Sequence, residues 1–167
     1  MKKIKDELSQ IVVDYYSKYP SAHQDILHTM EVVFYARMIS IGEGWPENKI
    51  EDIEMAALLH DIGCPLSKEI YGNSLPVNQQ NVGREVANQL LKNISSLSDS
   101  QSKWLEDVVG THHQFKHASE LGFLPLFEAD LIVNILSGYY KKERTEHFFD
   151  KLMTTKSGKK LFKTLIK

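Results

Sequence analysis

A histidine and an aspartate stand side by side where an apolar helix comes to its end. The stretch Ala56-Ala57-Leu58-Leu59-His60-Asp61-Ile62-Gly63 starts with small and apolar residues and finishes in this pair and a glycine that stops the helix. A buried carboxylate without a partner loses several kcal/mol of hydration. A divalent metal offsets that loss, because imidazole and carboxylate both bind such ions and the negative end of the helix dipole favours a cation. The pair therefore predicts half of a metal site.

Two more residues complete a candidate ligand set. Asp130 lies within the apolar segment 124–135, where a lone carboxylate needs a strong partner. That partner is either a metal shared with the His-Asp pair or a buried arginine, for which Arg37 and Arg144 are candidates. His28, on the flank of the apolar face of an earlier helix, is the fourth candidate ligand. Ligands on separate rigid helices suit a preorganised site in the core of a bundle.

Further histidines and basic residues lie in segments that flank this predicted site. His112 and His113 come near the end of one helix, where either could neutralise phosphate charge or protonate a leaving group; the alternative is that one of them is only a surface residue. Lys68, Arg84 and Lys116 stand in neighbouring segments and are candidates for binding substrate phosphates.

The hydrophobic pattern predicts an all-α chain of seven or eight helices with no strand. The predicted helices cover 3–18, 21–40, 45–63, 78–92, a segment from Ser98 or Ser100 to about His113, 125–140, 144–153 and 157–166. Glycine, proline and polar residues predict loops over 64–77 and 114–122. We expect a single domain over 1–167, with a core that carries the motifs over about 21–140 and the terminal helices packed on it.

The second helix is predicted to bury a long apolar face. Its members, at helical spacing, are Ile26, Leu27, Met30, Val33, Phe34, Met38 and Ile41. The aromatic residues that the sequence most simply assigns to the core are Phe34, Tyr35, Phe127, Tyr139 and Tyr140.

Composition restricts the partners and the compartment. The formal net charge is −2, so nothing indicates a nucleic-acid polymer or an anionic membrane as partner. No apolar run reaches the ~20 residues of a membrane span, and residues 1–10 lack the apolar segment of a signal peptide. Cys64 is the one cysteine, which suits a reducing compartment. We expect a cytoplasmic protein.

The order His … His-Asp … Asp on an all-α chain resembles the HD-domain superfamily of metal-dependent phosphohydrolases. The motif His60-Asp61-Ile62-Gly63 is a common form of the central motif of that superfamily. Val109-Gly110-Thr111-His112-His113 and Phe127-Glu128-Ala129-Asp130-Leu131-Ile132-Val133-Asn134 are similar to segments of its small bacterial and archaeal members. The resemblance covers roughly residues 21–140 and implies the compact multi-helix bundle of an HD domain.

The resemblance implies that His28, His60, Asp61 and Asp130 bind one divalent transition metal, with manganese, iron, cobalt, nickel and zinc all open. Members with two metals have two additional histidines. One of them comes from the helix after the His-Asp loop, shortly before a glycine, where this chain has Gln79, Gln80 and Asn81 ahead of Gly83. This departure favours one metal, and a second metal near His112 and His113 stays open.

The implied activity is hydrolysis, by metal-activated water, of a phosphomonoester or pyrophosphate bond in a nucleotide or another small phosphate ester. Asp61 would bind metal and also orient or deprotonate the water. The alternatives are a phosphodiesterase or alarmone hydrolase, for which the chain has no Gly-Tyr-Pro segment or accessory domain, and a non-catalytic module that binds or senses a nucleotide. A homodimer is also open, with helix 3–18 either covering the core or forming the dimer face.

Overall fold

Ten α-helices form the fold over residues 4–166. A computed structural model describes residues 4–166, within which no strand occurs and one short 3-10 helix covers Lys142–Arg144. The α-helices are α1 (Ile4–Tyr16), α2 (Ala22–Gly42), α3 (Glu47–Leu59), α4 (Cys64–Tyr71), α5 (Pro76–Leu91), α6 (Asp99–Val109), α7 (Phe115–Glu120), α8 (Leu124–Leu136), α9 (Thr145–Leu152) and α10 (Lys156–Leu165). The predicted all-α class is confirmed, and all eight predicted helices are present.

The two additional helices, α4 and α7, lie in the segments predicted as loops. In α4, Pro65 occupies the first turn, where a missing N–H has no cost, and Gly72 ends the helix in the left-handed conformation at φ 71°. Gly122, at φ 76°, follows shortly after α7. The proline and glycine residues that predicted loops therefore mark the ends of short helices.

Helices α2 and α8 lie at the centre of the bundle. The long α2 packs along α8 and α3, α5 packs on α6 and α4, and α1 rests on α3 and α2. One main core joins α1 to α8, and a smaller apolar cluster joins the end of α8 to the C-terminal helices. This arrangement places residues of α2, α8 and the segment after α3 side by side. No helix within residues 4–166 combines the length and apolarity of a membrane span.

A buried glutamate attaches the C-terminal helices to α8. Glu128 is fully buried and accepts hydrogen bonds from the backbone N–H groups of Thr154 and Thr155, at 2.6 and 2.9 Å, and from both hydroxyls. Thr155 in turn caps α10 by accepting from the N–H of Gly158. A carboxylate with this many donors is satisfied in the interior, which makes Glu128 a structural residue.

The buried face of α2 differs from the predicted one. It consists of small and β-branched residues: Thr29, Val32, Ala36, Ile39 and Ser40. Five of the seven residues predicted to face inward are exposed instead: Leu27, Met30, Phe34, Met38 and Ile41. The prediction of a core position was also wrong for Tyr139, which is exposed, whereas Phe127 is buried. The physical reason is that apolar residues lie on both sides of α2, so packing against α8 and α3 selects the buried face and periodicity alone does not.

Candidate metal centre

A tight turn between α3 and α4 carries the His-Asp pair. The turn is closed by backbone hydrogen bonds from Ile62 to the carbonyl of the last residue of α3 and from Cys64 to the carbonyl of Asp61, both 2.9 Å. Ile62 is fully buried and anchors the turn in the core. Gly63 has an ordinary helical φ of −80°, so its role is not to stop a helix in a left-handed conformation. It is needed because the backbone of α5 lies directly against it.

The four predicted metal ligands come together at one place. His28 Nε2 lies 3.2 Å from Asp130 Oδ1, 3.3 Å from Asp61 Oδ2 and 3.2 Å from His60 Nε2. His60 Nε2 lies 3.5 Å from the same two carboxylate oxygens. The ligand-type atoms thus converge from three elements: helix α2, helix α8 and the turn that follows α3.

These separations fit the coordination shell of a divalent metal. Metal–ligand distances of ~2.1 Å place neighbouring ligand atoms about 3.0–3.4 Å apart. His60 Nδ1 donates to the carbonyl of Ala57 at 2.7 Å, which leaves the lone pair of Nε2 directed at the cluster. Asn134 Nδ2 donates to Asp130 Oδ1 at 2.8 Å and fixes that carboxylate. Such outer hydrogen bonds orient ligands in metal sites.

His112 and Asp61 extend the cluster with two atoms that lack hydrogen-bond partners. His112 Nδ1 donates to the carbonyl of Val109 at 2.9 Å, so in the neutral ring Nε2 carries a lone pair. That nitrogen lies 3.3 Å from Asp61 Oδ1. Both atoms are buried, and neither has a hydrogen-bond partner among residues 4–166. Two electron-rich atoms facing each other in the interior require a cation or a proton donor nearby. These two atoms without partners are consistent with the metal that the donor set suggests.

The protonation of His113 is set from outside the cluster. The Cys64 thiol donates to Gln79 Oε1 at 2.9 Å, and Gln79 Nε2 donates to His113 Nε2 at 2.7 Å. The proton of the neutral His113 ring therefore sits on Nδ1, which lies 3.8 Å from Asp130 Oδ2. Burial, followed by the nearby Asp61 charge, raises the pKa of the Cys64 thiol well above its ordinary value, which keeps the donor proton in place.

A second glutamine of α5 holds the histidine pair. With its Oε1 facing the turn after α6, Gln80 accepts from the backbone N–H groups of His112 and His113 at 3.2 and 3.1 Å, while its Nε2 donates to the carbonyl of Pro76. Gln79 and Gln80 are both buried. Neither glutamine was predicted to take part in the site. A signal was present, because Gln79 lies one turn before Gly83 on the inward face of α5.

Carboxylates and imidazoles shift one another's pKa values in this cluster. Burial lowers the pKa of His28, but hydrogen bonds to Asp130 and Asp61 outweigh burial and raise it to about 10. Burial also opposes the charged form of His60, yet Asp61 and Asp130 raise its pKa. Burial would raise the pKa of both carboxyls, and the neighbouring histidines hold both well below the ordinary value. Burial and then His112 lower the pKa of His113 to about 4. A proton on His28 thus takes the place of a cation when none is bound.

Two of the three basic residues predicted to bind phosphate pair with carboxylates. Arg84 forms an ion pair with Asp107 of α6, and Lys116 lies 3.7 Å from Glu120 within α7. Lys68 is exposed on α4, and its charge acts on Cys64, one turn earlier. Carboxylates therefore engage the charges of Arg84 and Lys116.

The buried arginine pair considered for Asp130 does not form. Arg37 contacts Glu47 and Glu54, each at 3.0 Å, and Arg144 stacks over the ring of Phe148 at 4.8 Å. The partners of Asp130 are the histidines and Asn134 of the cluster.

The family follows from comparison with known proteins. The HD domain family model matches residues 26–147, well over half of the chain, and the chain therefore belongs to the HD domain family, within a superfamily of metal-dependent hydrolases. The fold is similar to the crystal structure of a predicted HD superfamily hydrolase from an uncultured Thermotogales bacterium. The TM-score is 0.68 at 22% sequence identity, covering 95% of this chain and 83% of that chain. No curated protein matches the chain.

Proposed function

We propose that this protein is a metal-dependent phosphohydrolase that cleaves a phosphomonoester or pyrophosphate bond in a nucleotide or another small phosphate ester. The observation that carries the proposal is the convergence of His28, His60, Asp61 and Asp130, with imidazole nitrogens 3.2–3.5 Å from carboxylate oxygens. These residues would hold one divalent transition metal, which would polarise a phosphoryl oxygen and make water a stronger nucleophile. Membership of the HD domain family supports the same class of reaction.

Asp61 and His112 would orient and activate the attacking water. In the neutral ring of His112, Nε2 would be an acceptor like Asp61 Oδ1, and the two atoms lie 3.3 Å apart. A water bridging them would donate one proton to each, and its own lone pair would then face the phosphorus. Asp61 Oδ1, whose pKa is held low, keeps the charge needed to attract the proton as the new P–O bond forms.

His113 would stabilise the phosphate or the leaving group. Its ring is neutral near pH 7, because burial and His112 lower its pKa to about 4. The hydrogen bond from Gln79 fixes the remaining proton on Nδ1, on the side of Asp130. A neutral N–H donor suits an anionic oxygen in a site that already holds two carboxylates. Lys68 is the basic residue best placed to bind a further phosphate, since Arg84 and Lys116 pair with carboxylates.

A screen of phosphate release tests the proposal. The purified chain is stripped with a chelator, reloaded with Mn²⁺ and offered nucleoside mono-, di- and triphosphates and sugar phosphates. Asp61→Asn should lower turnover by at least about 100-fold, because it removes both a ligand and a general base. The matched control is Asp52→Asn, the same chemical change at a residue that contacts Lys49 and Gln101 instead. It should retain wild-type turnover.

The other outcomes distinguish the alternatives. Turnover that survives in Asp61→Asn would show that the reaction, if any, occurs elsewhere. A nucleotide that raises the melting temperature of the wild type, without release of product, would favour a nucleotide-sensing module. Cleavage restricted to phosphodiesters or to guanosine alarmones would favour the corresponding hydrolase. Each of these results would overturn the proposed reaction.

A further inference from the structure

Helix α2 presents an apolar stripe to solvent. Its five members and their exposed fractions are Leu27 (50%), Met30 (62%), Phe34 (60%), Met38 (45%) and Ile41 (47%). The same helix buries only small and β-branched residues against its neighbours. A helix that keeps its larger apolar side chains outside and its smaller ones inside is the reverse of what a monomer favours. The outer stripe therefore needs an occupant.

The spacing of the stripe shows what fits it. Counted from Phe34, the other members lie four and seven residues away in both directions, so the stripe reads the same from either end. At ~100° per residue all five fall within about 40° of the direction of Phe34. Two antiparallel copies of α2 related by a two-fold axis at Phe34 would align Met30 with Met38 of the second copy, and Leu27 with Ile41 of the second copy. We propose that the protein forms a homodimer through this antiparallel pairing of α2.

A cleft beside the stripe supports the same occupant. It has a volume of about 250 Å³ and lies between α2 and α10, with Met38 and Leu161 among the residues that line it. In the two-fold arrangement Met30 of the second copy lies level with Met38 and hence next to this cleft. Methionine is a flexible side chain that fills irregular apolar space. Each copy of the protein would thus fill the cleft of the other copy.

The area of the stripe also suits a dimer. The exposed parts of its five side chains amount to roughly 500 Å² of apolar surface per chain, at the upper end for the largest patch of a monomer. A standard interface buries about 800 Å² per partner, with an apolar centre and a polar rim. The stripe supplies the centre, and Arg37 and Glu31 on its two flanks can contribute to the rim. Its own symmetry favours a second copy over an unrelated helix.

Substitutions at the axis give a direct test. Residue 34 faces its own copy in the dimer, so Phe34→Glu and Phe34→Lys each bring like charges together, and an equimolar mixture brings opposite charges together. By sedimentation, the wild type should be dimeric at about 10 µM. Each single variant should raise the dissociation constant by at least about 100-fold, and the mixture should recover the dimer. Val77→Glu, at a 63% exposed residue of α5, is the matched control and should stay dimeric.

Three results would overturn the proposal. They are a wild type that is monomeric at about 100 µM, a Phe34→Glu variant that remains dimeric, and a mixture that fails to recover the dimer although both variants are folded. Phe34 is exposed and lies outside the metal cluster, so both variants should fold. Circular dichroism and metal content check that they do. If the first result came with capture of some other protein through the stripe, the stripe would belong to that partner.

Discussion

Replacing Gly63 by alanine would force apart two elements that hold the site. A Cβ at Gly63 would lie 2.5 Å from the backbone nitrogen of Gly83 and 2.6 Å from its Cα, and it would also collide with the carbonyl oxygen of Gln79. All three are backbone atoms of α5. No rotation of a side chain relieves these contacts, so the turn after α3 and the helix α5 must separate.

The loss of stability depends on the backbone segments that must separate. Overpacking by a methyl group costs about 1–3 kcal/mol when side chains can adjust, so rigid backbone on both sides predicts a loss of about 3 kcal/mol in the free energy of unfolding. For a chain of this size that corresponds to a fall of roughly 6–12 °C in melting temperature. Metal content should fall as well, because Gly63 lies two residues after Asp61 and Gln79 holds His113.

The assay is thermal and urea unfolding of the metal-free chain, with Gly110→Ala as the control. Gly110 has a helical φ of −71°, and the nearest heavy atoms to its Cβ would be 3.4 Å away or farther. Alanine there should be neutral or stabilise by up to about 1 kcal/mol, because it restricts the unfolded chain. A Gly63→Ala variant that melts within about 2 °C of the wild type would refute the close-packing argument.

Two further predictions concern the chemistry of the cluster. Because the pKa of His28 is raised to about 10 in the metal-free chain, it is protonated at neutral pH. Metal uptake must then release that proton, and apparent metal affinity should rise with pH by about tenfold per unit for each proton released. Calorimetry in buffers of different ionisation enthalpy measures the release, and affinity that stays flat between about pH 6 and 8 would contradict it. Gln79→Leu should lower turnover about tenfold while metal content is kept, because His113 loses the donor that fixes its proton. Gln89→Leu, on the exposed side of α5, is the control, and loss of metal in Gln79→Leu would exclude a purely orienting role.

The sequence was most informative where polar residues interrupt apolar helices. The helical pattern predicted eight of the ten α-helices within residues 4–166, and the order of His28, the His-Asp pair and Asp130 predicted residues that the fold brings together from three elements. This worked because a buried charge needs a partner wherever it lies, so its presence in an apolar run carries information about distant contacts. A neutral amide in such a run carries less information about distant contacts. No role was predicted for Gln79 or Gln80, since glutamine is common on exposed helix faces.

Predictions failed where the buried face or the role of a residue depends on elements that are distant in sequence but close in space. The apolar residues of α2 cover most of its circumference, so periodicity alone could not choose which face is buried. The choice is made by α8 and α3, whose packing against α2 buries the face that carries Thr29, Val32 and Ala36. Gly63 shows the same limit. A glycine after a helix suggests a stop signal, whereas here it permits contact with a helix that comes 13 residues later.

Burial of an acid does not by itself identify a functional site in this fold. Glu54 is buried and paired with Lys5 and Arg37 at 2.9 and 3.0 Å, and the fully buried Glu128 accepts four hydrogen bonds. Both are satisfied by the chain alone. Asp61 differs, because its Oδ1 is buried opposite a histidine nitrogen and has no hydrogen-bond partner within residues 4–166. Native proteins seldom leave such an atom unpaired without a ligand, an ion or a catalytic role to account for it. The unsatisfied oxygen, more than the burial, separates the metal cluster from the structural acids and makes Asp61 the first residue to substitute.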